Sequence, residues 1–173
     1  MVQQESLLTT IAQVAVTLAG FSGLVIAIRT TPTAGWHARD TWSLAWMLGT
    51  SLGALFLALL PLVLTSFGLS EGSSWTLATM IMSGAMLLFA FAMALTGRRL
   101  TRGGHRPRVR YFPTVATCLV ATVGLTAGFA AIGVLPHAKV GLFTVGLVTL
   151  LLVSALSLVV FLIVLARATR ASS

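Results

Sequence analysis

Residues 41–70, TWSLAWMLGTSLGALFLALLPLVLTSFGLS, run for thirty positions without an Asp, Glu, Lys or Arg. A helix needs about 20 residues to cross a hydrocarbon core about 30 Å thick. This stretch therefore has length to spare for a tilted crossing. A membrane barrel strand would need period-2 alternation with a polar face, and residues 55–64 show none. A helix remains, because it satisfies its own backbone polar groups in lipid. Pro61 withholds one backbone hydrogen bond inside it and predicts a bend.

Outward from this run lie four more charge-free intervals, residues 6–28, 72–97, 111–138 and 140–166, each longer than 20 residues. Of all 173 residues, 57% are apolar and only 8% charged, where about a quarter charged is usual for a soluble domain. A soluble core of this size cannot hide so much apolar surface. The sequence reads as an all-α, polytopic integral membrane protein. Its single transmembrane domain, residues 1–173, is a compact bundle of five helices. The spans fall at about 7–28, 41–67, 74–97, 112–135 and 140–166, with a basic loop at 98–110. The intervening loops are too short to carry a soluble domain.

Alternating the spans puts ten basic residues on one side, in the Arg29/Arg39 loop, the 98–110 loop and the Arg167/Arg170 tail, against Lys139 alone on the other. The positive-inside rule then predicts the N-terminus outside and the C-terminus in the cytoplasm. The first span is not read as a cleaved signal peptide, because Gln3, Gln4 and Glu5 supply no basic n-region. Trp36, Trp42 and Trp46, with Trp75, Tyr111 and Phe112, are predicted to anchor span ends at the interfaces. Arginine outnumbers lysine ten to one, and with abundant Ala, Gly and Leu this composition predicts a GC-rich bacterium and its plasma (inner) membrane.

Inside the spans, polar groups carry the information. Glu5, Thr9, Gln13 and Thr17 recur every four residues and share one stripe, beside a small-residue ridge of Ala15, Ala19, Gly23 and Ala27. The Gln13 amide has donors and an acceptor that lipid cannot satisfy. That face should turn into the bundle or into an oligomer interface, as a path for a solute or as an interhelical hydrogen bond. Span four repeats the spacing with Thr114, Cys118, Thr122 and Thr126. Gly49 with Gly53, and Gly124 with Gly128, form GxxxG ridges that let helix backbones approach closely, in the same chain or in a partner. Ala19-Gly20-Phe21 recurs as Ala127-Gly128-Phe129, an identity that an Ala- and Gly-rich chain produces by chance.

The loop at 98–110 carries Arg98, Arg99, Arg102, Arg106, Arg108 and Arg110, more than half of the positive charge, and is expected to contact anionic lipid headgroups. It lacks the aromatic interleaving of a nucleic-acid surface, so nucleic acid is not an expected partner. Gly103, Gly104 and Pro107 should keep it from continuing the flanking helices.

Missing residues exclude whole classes of chemistry. No ionisable side chain falls deep inside a span, so a pump working through buried carboxylates is not expected. His37 and His105 lie in basic loops and His137 in a turn, so no haem ligand or protease base sits at membrane depth. His37 with Asp40 is too sparse to name an active site. Met80, Met82, Met86 and Met93 are read as packing residues rather than copper ligands, and Cys118 has no partner for a disulfide. No enzyme, metal or cofactor is expected. Two functions remain in view. One is a scaffold or accessory bundle that self-associates or packs on another membrane protein. The alternative is an oligomeric channel or transporter subunit for a small neutral solute or weakly selective ion passage, lined by Thr9, Gln13, Thr17, Thr122 and Thr126.

Overall fold

The computed structural model describes residues 2–29, 38–102 and 112–170. Five α-helices occupy almost all of them: α1 Val2–Arg29, α2 Ala38–Ser66, α3 Glu71–Arg102, α4 Phe112–Ala131 and α5 Lys139–Arg170. Each is long and apolar enough to cross a membrane, as expected of a multi-pass membrane protein. Pro61 stands inside α2 without ending it, as lipid-embedded helices allow when neighbours re-satisfy the freed carbonyl.

Two glycines with positive φ stop the helices. Gly133 (φ 94°) closes α4, its N–H donating to the Ala130 carbonyl while the Val134 N–H reaches back to Phe129. Those two bonds consume carbonyls that the helix end leaves orphaned. α4 therefore ends at Ala131, short of the predicted 135, and the 3-10 turn Pro136–Ala138 leads into α5. Gly68 (φ 83°) likewise ends α2, donating to Thr65 O. At the other boundary the helix outruns the reading. α3 continues through Arg102, so Arg99 and Arg102 ride on its last turn, with Arg98 just before it, rather than in a loop. Cationic side chains there suit the negative end of the helix dipole.

α5 is central and touches all four other helices. α1 rests on α2 and α5, while α4 rests on α3 and α5, and among the described residues α1 and α4 do not meet. Contacts fix the directions. Ser83 and Met93 of α3 meet Gly124 and Thr117 of α4, an antiparallel pair, whereas Thr76 and Met82 meet Lys139 and Gly146 of α5, a parallel one.

The core is built from small and soft side chains. Ala15, Ala54, Ala58, Ala78 and Ala127 are fully buried, and Met82, Met86 and Phe143 fill the spaces between them. Among lipid-solvated helices, close approach and dispersion replace the hydrophobic drive, which small residues permit. Trp46 packs into this core: it is buried, with Trp42 edge-on at 5.1 Å and Phe89 also at 5.1 Å. Trp75 packs edge-on to Phe143 at 5.7 Å. Trp36 and Tyr111 lie outside the described residues.

Candidate functional site

α1 presents Leu8, Ile11, Ala12, Ala15 and Ser22 to the bundle, a run at three- and four-residue spacing. The stripe of Glu5, Thr9, Gln13 and Thr17 falls on the other side, and all four are exposed. Of the two expected directions, into the bundle or toward an interface, the inward one does not occur. Thr9 and Thr17 satisfy themselves, their hydroxyls donating to the carbonyls of Glu5 (2.8 Å) and Gln13 (2.9 Å) one turn back. Thr10 does the same to Ser6 O at 2.9 Å. A threonine bonded in this way shows lipid mainly its methyl group. Gln13 has no such recourse, and its amide makes no hydrogen bond among the described residues. At 1.5 Å per residue it sits about 14 Å along the 22-residue apolar stretch that begins at Gln4, near the middle of that stretch.

The ridge beside the stripe is divided. Ala15 is buried, whereas Gly23 and Ala27 are exposed, and a Cβ built on Gly20 or Gly23 would meet nothing within 4 Å. On α4, Thr114, Cys118 and Thr122 are exposed and Thr126 half-buried, with Thr122 bonded to Cys118 O and Thr126 to Val123 O. Because α1 and α4 do not touch, one bundle does not bring Thr9, Gln13 and Thr17 together with Thr122 and Thr126.

The glycine ridges are used within the chain. A Cβ on Gly124 would stand 3.1 Å from Met86 Cβ, and one on Gly128 only 2.8 Å from Ser83 Oγ. Ser83 exploits the close approach by donating to Gly124 O at 2.8 Å. A Cβ on Gly49 would stand 3.4 Å from the Phe89 ring, an ordinary contact, while one on Gly53 would meet nothing within 4 Å. Gly146, which the spacing argument passes over, is tighter still, with the Met82 sulfur and methyl both 2.6 Å from a built Cβ. The methionines divide as their spacing requires: Met82, Met86 and Met93 are buried packing residues, and Met80 points outward.

The buried polar groups that the sequence reading missed are six serines together with Thr50, Thr79 and Thr149. Ser51 and Ser154 approach to 2.6 Å between α2 and α5, and both also reach Met47 O, at 2.8 and 3.1 Å. Ser22, Ser74, Ser83 and Ser157 are buried as well, Ser74 without a side-chain partner among the described residues. The signal was serine lying in phase with buried alanine and methionine. Lys139 donates to Thr76 Oγ1 at 3.0 Å, tying the start of α5 to α3. Arg98, Arg99 and Arg102 are exposed, and Arg106, Arg108 and Arg110 lie outside the described residues. Among the described residues no cluster of His, Cys, Asp or Glu has the makings of a metal site.

No protein-family model, curated protein or solved structure matches the chain.

Proposed function

We propose that this protein is a multi-pass membrane scaffold or accessory bundle that self-associates through the outer face of α1, with its arginine-rich end in the cytoplasm. One observation carries the reading: the Gln13 amide, without a hydrogen-bond partner among the described residues, is exposed near the middle of the apolar stretch of α1. An amide left bare in hydrocarbon costs several kcal/mol, on the order of 4 or more. A partner surface that pairs with it recovers much of that cost.

A second copy is the partner that fits. Copies inserted in the same direction are related by a two-fold axis along the membrane normal, which sets Gln13 opposite Gln13 at equal depth. The amide is self-complementary, so each copy donates one bond and accepts one. Gly20 and Gly23, open on the same helix, let the backbones come close enough for that pair. Gly124 and Gly128 are already filled from α3 inside the chain.

The channel reading rests on the same face in a different symmetry. A ring of four or more copies would turn Thr9, Gln13 and Thr17 toward a central axis and leave a neutral, hydroxyl-rich path there. Native mass spectrometry from bilayers separates these outcomes. A dimer that Gln13→Leu reduces to monomer supports the scaffold. A larger ring that passes solute in liposomes supports the channel, and a single copy bound to a different membrane protein makes this an accessory subunit. A bare monomer in bilayers overturns all three.

A further inference from the structure

α3 outlasts its own apolar stretch, and the side on which its terminal arginines fall is informative. At about 100° per residue, Arg98, Arg99 and Arg102 share one arc of about 100° with Leu88, Phe91 and Leu95. Leu88, Phe91 and Leu95 are exposed and the arginines continue their column, while Met82, Met86 and Met93 occupy the opposite, buried face. From Leu88 to Arg98 the helix rises about 15 Å, the hydrocarbon depth of one leaflet. The column is apolar where acyl chains lie and cationic where headgroups lie.

We propose that this column is a binding site for one anionic phospholipid, whose phosphate is held by Arg98, Arg99 and Arg102 and whose acyl chain lies along Leu95, Phe91 and Leu88. Guanidinium groups match phosphate oxygens with paired, charge-assisted hydrogen bonds, which a diffuse cloud of positive charge does not provide. Three of them within two turns enclose a phosphate from one side. The site rests on the five helices spanning a membrane and not on self-association, which the oligomer mass reads separately.

The test is native mass spectrometry of the full chain released from bilayers of equal phosphatidylglycerol and phosphatidylcholine, counting retained lipids. The wild type is expected to retain phosphatidylglycerol in preference to phosphatidylcholine. Arg98→Gln/Arg99→Gln/Arg102→Gln should lower that retention about fivefold for each arginine, on the order of a hundredfold for the three. Arg29→Gln/Arg167→Gln/Arg170→Gln removes the same charge elsewhere and should leave it unchanged. Equal loss in both triple variants would show diffuse attraction and overturn the site. So would equal retention of the two lipids by the wild type, a measurement that needs no variant to fold.

Discussion

Ser83 Oγ lies 2.8 Å from the carbonyl oxygen of Gly124 and would lie 2.8 Å from a Cβ built on Gly128, so one hydroxyl both bonds α3 to α4 and forbids a side chain one turn further on. Hydrogen bond and close approach are therefore a single device. Between lipid-solvated helices such a bond contributes about 0.6 kcal/mol on average, and the packing around it contributes the rest.

Gly128→Ala should destabilise the bundle by about 1–3 kcal/mol, the usual cost of an added methyl in a filled contact. Ser83→Ala removes the obstructing oxygen and leaves its own Cβ at 3.8 Å, an ordinary contact. Hence Ser83→Ala/Gly128→Ala should be more stable than Gly128→Ala alone. Denaturant titration in micelles measures the cycle, and simple additivity of the two losses would sink the idea.

Two GxxxG motifs that look alike in sequence should respond in opposite ways. Gly124→Ala places a methyl 3.1 Å from Met86 Cβ, a backbone-anchored atom that cannot swing aside, and should cost about 1–3 kcal/mol. Gly53→Ala meets nothing within 4 Å, and should be neutral or should stabilise α2 by up to about 1 kcal/mol through lost chain entropy. Unfolding of the two variants side by side decides it. Equal losses would mean that Gly53 is covered in the membrane by another surface.

Five helices were legible because charge-free length alone identifies a span, whatever its neighbours do. Helix ends were less so. The arginines after Gly97 read as a loop, yet nothing in Arg98-Arg99-Leu100-Thr101-Arg102 breaks a helix, and the chain stays helical past the apolar stretch. The inward or outward sense of polar faces was harder still. Threonine at four-residue spacing looked like a lining, but back-bonding to the preceding turn makes threonine tolerable on an outer surface, as at Thr9, Thr17 and Thr122. Thr50, Thr79 and Thr149 are buried as well, but the buried hydrogen bonds between helices are made by serine, smaller and without the methyl, at Ser51, Ser83 and Ser154. Spacing reports which residues share a face, not what that face meets.

The Gln13 side chain is exposed and makes no hydrogen bond among the described residues, so Gln13→Leu should leave the unfolding free energy of the isolated bundle within about 0.5 kcal/mol of wild type. Association should weaken by about tenfold or more, since two interhelical bonds of about 0.6–1.7 kcal/mol each are lost from a symmetric pair. Energy transfer between labelled copies, diluted with lipid, reads the second quantity, and thermal unfolding in dilute detergent reads the first. A large drop in bundle stability with unchanged association would show that Gln13 acts inside the chain.

The orientation can be read from two exposed positions at opposite ends of the bundle. His137 precedes α5 on the end where α3 also begins, and Arg102 closes α3 at the other. Ten basic residues accumulate on the Arg102 side against Lys139 on the other, and translocating arginine is what the insertion machinery resists. In a Cys118→Ala background, His137→Cys should therefore react with a membrane-impermeant maleimide in intact cells. Arg102→Cys should react only after permeabilisation, and its loss leaves nine basic residues to hold the orientation. The reverse pattern would invert the protein in its membrane and move the proposed lipid site to the outer leaflet. Labelling of both from outside would mean that α4, the helix between them, does not cross, and the five-span reading would fall with it.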